Sequence, residues 1–127
     1  MNETSPHKSS SGLRRIWRAL LYSLQGLKTA YKFESAFRQE LVLAIGLIVI
    51  AAILPASLLH KALLVFPVFL VLITELLNSA IEATVDRISL DHHELSKKAK
   101  DIGSAAVFVS LTMTLVIWVL VLVDLFG

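Results

Sequence analysis

LVLITELLNSAIEATVDR, residues 70–87, sets four polar side chains into a segment that is otherwise apolar. At about 100° per residue, Asn78, Glu82 and Asp86 fall at roughly −60°, −20° and +20° from Glu75, so one helix face carries all four. An acidic side chain facing lipid is costly, and ionisable residues in membrane segments normally face a bundle interior or a polar cavity. The stripe therefore predicts a helix that buries this face and finds partners for its acids elsewhere in the chain.

The surrounding sequence is a membrane protein's. Of 127 residues, 56% are hydrophobic and 17% charged, with a mean hydropathy of +0.74, against about 25% charged in soluble domains. The absence of cysteine removes disulfides, thiolate nucleophiles and cysteine-based zinc sites. A net charge of +2 is too small to argue for nucleic acid as a partner.

Upstream of the stripe, Leu41 to Leu59 carries no charge, close to the ~20 residues that cross a hydrocarbon core. Pro55 marks its end. His60 and Lys61 form a short turn, and a second span begins at Ala62 and runs into the stripe, with Pro67 placed where it would kink the helix. Downstream, RISLDHHELSKKAKD at 87–101 is the long polar loop, and Ile102 to Val123 is a third uncharged span. Gly103, Ser104, Ala105 and Ala106 at its start allow close helix contact. The expected spans are 38–59, 62–86 and 101–124.

The N-terminal region divides in two. Residues 1–12 are polar and Ser-rich and read as a disordered tail, without the pattern of a secretory leader. From Leu13, apolar residues recur every three or four positions while Arg14, Arg15, Arg18 and Lys28 fall elsewhere. This predicts an amphipathic helix over 13–33 lying in the membrane interface. The fold class is thus all-α: three transmembrane helices plus an interfacial helix, in a single domain over 13–127. Between them, Glu34 and Arg38 are spaced for a helix-surface ion pair worth a few tenths of a kcal/mol.

Lys and Arg flank the first span on its N-terminal side and fill the long loop, whereas Lys61 stands alone between spans one and two. The positive-inside rule then puts the N-terminus and the long loop in the cytoplasm and the C-terminus outside. Glu34, Glu82 and the loop meet at one interface, and Glu75 lies about 18 Å along the helix from Arg87. The acids form a column from cytosol into lipid, which suits a site joining a soluble substrate to a lipid one. Glu34 and Glu82 are oxygen donors of the kind Mg²⁺ takes. Arg15, Lys97, Lys98 and Lys100 suit phosphate, and Glu75, partly desolvated, suits a general base. No phosphate-cradling glycine loop is present, and the adjacent His92 and His93 lack the spacing of a zinc site.

ESAFRQE at 34–40, TELLNSAIEATVDRI at 74–88 and HELSKKAKDIGSAAV at 93–107 closely resemble the prokaryotic diacylglycerol kinase family, in the same order and spacing and over nearly the whole chain. The resemblance implies a homotrimer with sites shared between subunits, in the bacterial inner membrane with a periplasmic C-terminus. It implies ATP- and Mg²⁺-dependent phosphorylation of diacylglycerol to phosphatidic acid. On that basis Glu75 is the general base and Asn78 orients groups beside it. Glu34 and Glu82 hold Mg²⁺, and Arg15, Tyr22, Asp91, His92, His93, Lys100 and Asp101 join them around ATP.

The lipid is implied to run along Arg15, Ala19, Leu20, Leu21, Tyr22, Ser23 and Leu24, then Lys28, Thr29, Ala30 and Tyr31. Against these lie Ala36, Phe37, Arg38, Gln39 and Glu40, with Glu75, Ser104 and Trp118. Gln25, where a basic residue is expected, and the basic pair Lys97 and Lys98 depart from the enterobacterial members and bear on headgroup preference. Relatives that phosphorylate undecaprenol share the fold, and small proton-coupled transporters also use an intramembrane Glu. A single midplane carboxylate would suit the transporter better than a column reaching the cytoplasm, and a purely structural subunit leaves Glu75, Asn78 and Glu82 unexplained.

Overall fold

The computed structural model describes residues 11–127. The expected tail lies outside the described residues except for its last two positions, where Ser11 caps the first helix and Gly12 opens it. Among the described residues there are four helices and no strand: α1 (Gly12–Phe33), α2 (Ser35–Ile53), α3 (Leu58–Ile88) and α4 (Glu94–Phe126). The last three are each long and apolar enough to cross a membrane.

Each helix starts and stops for a local reason. Ser11 Oγ accepts the Arg14 N–H at 3.3 Å, satisfying one of the orphan donors of α1. Extended backbone at Glu34 (φ −109°, ψ 103°) ends α1 and starts α2. Across this break Arg38 does not form the expected ion pair with Glu34. Its Nη1 instead donates to the Tyr31 and Lys32 carbonyls at 2.8 and 3.1 Å, because the last carbonyls of a helix lack internal partners. Arg38 is therefore the cap of α1.

Leu54 is extended, as a residue before proline prefers, so α2 stops at Ile53 rather than at 59. Ser57 Oγ caps α3 by accepting the His60 N–H at 3.2 Å. His93 Nδ1 caps α4 by accepting from the Leu95 N–H at 3.0 Å. At 31 residues α3 is about 46 Å long, against a hydrocarbon core of ~30 Å. It is therefore longer than the apolar layer is thick.

Packing is dominated by α3 against α4 and then α2 against α3. At the end far from Glu75, Ala51, Leu64, Trp118 and Val121 form a buried cluster. Pro67 is fully buried within α3 and lacks the N–H that would complete the helical ladder. Side chains of α4 supplement the backbone there: Trp118 Nε1 donates to Leu64 O at 3.0 Å and Thr114 Oγ1 to Pro67 O at 3.4 Å. Nearer the middle, the hydroxyls of Thr74 and Ser110 meet at 2.9 Å. Large apolar side chains such as Phe66, Phe69, Phe108 and Leu115 point outward, the expected surface of a helix bundle in lipid. The chain's far end is fastened by His60, whose Nε2 lies 2.8 Å from Asp124 Oδ2 near the end of α4.

Candidate active site

Glu75 and Asn78 are 5% and 8% exposed, the most deeply buried members of the stripe. Their helix face turns inward because α2 and α4 both pack on it, so the buried polar pair is held by helices rather than by loops. Asn78 Nδ2 donates toward Glu82 Oε1 at 3.5 Å, a long contact, while its Oδ1 is shielded with no hydrogen-bond partner among the described residues. Close approach of α4 brings Gly103 against that amide.

Around Glu75 the acids converge. Glu34 and Glu82 lie within electrostatic reach of it, and the Glu40 carboxyl packs within hydrogen-bonding reach of the Glu75 carboxyl. None of these four acids has an ion-pair partner among the described residues, where the ion pairs are His60–Asp124, Lys97–Asp101 and Lys100–Asp86.

Two openings flank the column. A cavity of about 650 Å³ lies under α1, lined by Ser23, Gly26, Thr29 and Ala30 on one side and Leu76, Ser79, Ala80 and Ala83 of α3 on the other, with Glu34 at its edge. Small residues on both faces keep it open, and its lining suits an apolar ligand. Where α3 ends and α4 begins, a polar cleft of about 430 Å³ gathers Asp86, Ser89, Asp91, His92, His93, Lys97, Lys100 and Asp101. Lys100 Nζ bonds Asp86 Oδ1 at 2.8 Å, and Lys97 Nζ bonds Asp101 Oδ2 at 2.6 Å. Both ammonium groups precede the apolar run that begins at Ile102, and these hydrogen bonds hold them above the ordinary lysine value.

The expected loop over 87–101 shrinks to 89–93, because α4 already starts at Glu94. The structure brings Asp91, His92 and His93 of that loop together with Lys100 and Asp101 of α4, and separately Glu75, Asn78, Glu82, Glu34 and Glu40. Ser23, Thr29 and Ala30 line the apolar cavity. Arg15, Ala19, Leu20, Leu21, Tyr22, Leu24, Lys28 and Tyr31 stand exposed on α1, as do Ala36 and Gln39 on α2 and Ser104 on α4. Phe37 is buried. Trp118 is set apart: it bonds Leu64, about 16 Å along α3 from Glu75.

Two participants went unassigned in the sequence. Asp86 belongs to the stripe, and its spacing from Glu82 was the available signal, yet only the fold pairs it with Lys100. Ser79, whose Oγ is shielded and without a partner beside the apolar cavity, carried no signal of its own.

Known proteins place this geometry. Residues 21–122 match the family described as prokaryotic diacylglycerol kinase. A diacylglycerol kinase of Pseudomonas aeruginosa is 52% identical over 118 residues, covering 93% of this chain and 96% of the relative. One from Escherichia coli is 45% identical over 119 residues, covering 94% and 98%, and one from Helicobacter pylori is 42% identical over 118 residues, covering 93% and 92%. With matches of this length and identity, and with the stripe, the loop and the three long helices in place, the chain belongs to the prokaryotic diacylglycerol kinase family.

Proposed function

We propose that this protein transfers the γ-phosphoryl group of Mg·ATP to the free hydroxyl of diacylglycerol, yielding phosphatidic acid and ADP, at the cytoplasmic face of the bacterial inner membrane. The observation that carries the reading is that one acid column borders both openings. Glu34 edges the apolar cavity, Asp86 lines the polar cleft, and Glu75 and Glu82 lie between. A lipid and a nucleotide can then meet without either leaving its own solvent.

Phosphoryl transfer needs chiefly positioning and charge neutralisation. Lys100, with Arg15 from α1, holds phosphate oxygens, and Tyr22, Asp91, His92, His93 and Asp101 surround the nucleotide. Mg²⁺, when bound with ATP, would neutralise phosphate charge. Glu34 and Glu82 fit it, being carboxylates without an ion-pair partner among the described residues, and Mg²⁺ typically takes one or two carboxylates plus substrate phosphates. Glu75 accepts the proton of the lipid hydroxyl as that oxygen attacks the γ-phosphorus, and Asn78 fixes the geometry beside it.

The lipid occupies the cavity under α1 and extends along the exposed face of that helix. Lys and Arg on α1, at the end of α3 and at the start of α4 set the orientation by the positive-inside rule, leaving the C-terminus periplasmic. The family resemblance supports a homotrimer with sites shared between subunits, which gives the open cleft further walls.

The test is Mg·ATP-dependent phosphorylation by the purified protein in mixed micelles, with diacylglycerol and undecaprenol offered separately and then in competition. Preferential phosphorylation of diacylglycerol is expected. Preference for undecaprenol would move the substrate while keeping the site, and turnover of neither by folded protein would overturn the kinase reading.

A further inference from the structure

Glu40 projects from α2 against Glu75 of α3, and its environment is poor in everything a carboxylate needs. Its Oε2 is shielded and meets no N–H or Ser, Thr or Tyr hydroxyl among the described residues. The adjoining space, lined with Leu43, Ala44, Val71 and Leu111, is about 20 Å³, room for about one water. The charged groups facing the Glu40 and Glu75 pair are acids as well: Glu34 from the α1–α2 junction and Glu82 from α3. On the α4 side the space beside Glu40 is walled by Leu111 and Thr114, which carry no charge. No cation forms an ion pair with either carboxyl among the described residues.

Two carboxyl groups in contact in a low-dielectric site cannot both ionise, and they resolve the conflict by sharing one proton. A half-buried and a buried side chain from different helices that meet in this way also fix each other's rotamers.

We propose that Glu40 is the positioning residue for the catalytic base: its protonated carboxyl donates a hydrogen bond to the Glu75 carboxylate and aims it at the lipid hydroxyl. This rests on the assignment of Glu75 as base under the proposed function and gives Glu40 a role beyond contact with the lipid. In the reaction the lipid oxygen forms its bond to the γ-phosphorus as the bond from that phosphorus to the β-bridging oxygen breaks. ADP leaves with the electron pair, and the hydroxyl proton passes to Glu75. The pair then holds two protons and is neutral, and one proton must leave along Glu82 toward the aqueous end before the next turnover. Glu40 keeps its own proton throughout.

The proposal separates two variants. Glu40→Gln retains a donor of similar shape that cannot ionise, whereas Glu40→Leu retains bulk without a donor. In the micelle assay Glu40→Leu should lower kcat on the order of a hundredfold, the scale of a misplaced reacting group. Glu40→Gln should be at least about tenfold faster than Glu40→Leu, and the alkaline fall in its kcat, assigned to ionisation of Glu40, should disappear.

Infrared spectroscopy of the reconstituted protein without substrates gives a readout independent of turnover. A protonated-carboxyl C=O stretch at neutral pH should be present in the wild type and lost in Glu40→Gln. Equal impairment of the two variants, an alkaline limb that survives in Glu40→Gln, or an unaltered carboxyl band would each overturn the proposal. If the wild type fails to phosphorylate diacylglycerol, the substrate reading falls, while the infrared band still decides the carboxyl pair. If Glu40→Leu does not fold, the Glu40→Gln profile and band decide alone.

Discussion

Gly103 of α4 lies directly against the Asn78 amide of α3: a methyl group at Gly103 would collide with Asn78 Oδ1 and come within 3.3 Å of its Cγ. The glycine is thus a spacing device that lets the two helices clasp the residue beside Glu75. Gly103→Ala should displace Asn78 and cost about 1–3 kcal/mol of stability, the usual scale of overpacking, together with much of the turnover. Adding Asn78→Ala in the same chain should restore stability without restoring activity. Thermal or denaturant unfolding in detergent, run beside the kinase assay, measures both. Recovery of both in the double variant would show that Asn78 is only a filler.

The ion pair between Lys100 and Asp86 places a cation at the mouth of the polar cleft. Lys100→Met should raise the KM for ATP at least about tenfold, the loss expected when one charge-assisted phosphate contact is removed, while the lipid KM stays near its original value. Lys97 pairs with Asp101 in solvent, where such pairs contribute little, so Lys97→Met should leave the unfolding midpoint unchanged. Initial-rate kinetics with each substrate varied in turn check the first expectation and a melting curve the second.

Around Pro67, the Trp118 indole is the donor that α4 supplies to the α3 backbone. Trp118→Phe keeps most of the packing and loses that hydrogen bond, so it should destabilise by about 0.5–1.5 kcal/mol. Trp118→Ala empties a buried site and should cost about 3–5 kcal/mol. Unfolding of the two variants in one detergent gives the comparison, and equal losses would show that the hydrogen bond contributes nothing separable from volume.

Glu34 at the α1–α2 junction and Glu82 of α3 lie within electrostatic reach of Glu75 and carry no ion-pair partner among the described residues. Glu34→Gln and Glu82→Gln should each raise the Mg²⁺ concentration needed for half-maximal rate at saturating ATP. Magnesium titrations of both variants provide the check, and curves superimposable on the wild type would remove these residues as ligands.

How far the sequence carried the interpretation differs by feature. The stripe from Glu75 to Asp86 announced a buried polar face because helical period and hydrophobicity both act locally, and the four helices follow from the same signal. Pro55 marked the end of the first span, but the turn expected at His60 and Lys61 lies instead at 54–57, because Ser57 caps α3 and both residues fall in its first turn. What stayed hidden depends on which helices touch. Arg38 pairs in sequence spacing with Glu34 but caps α1 in space, because the chain leaves helical geometry at Glu34. Glu40 read as one more interfacial residue until α2 laid it on Glu75. The clasp of Gly103 on Asn78 and the tie from His60 to Asp124 likewise join positions that no local pattern relates.

The central claim is that Glu75 takes the proton from the lipid hydroxyl, and Glu75→Gln tests it most directly. The variant should be purified alongside the wild type, shown to fold and to bind ATP with unchanged affinity, and assayed with Mg·ATP and diacylglycerol in mixed micelles. Turnover is expected to fall by about 10²–10⁴, the contribution of a general base. A near-normal rate in a variant that folds and binds ATP would contradict the account.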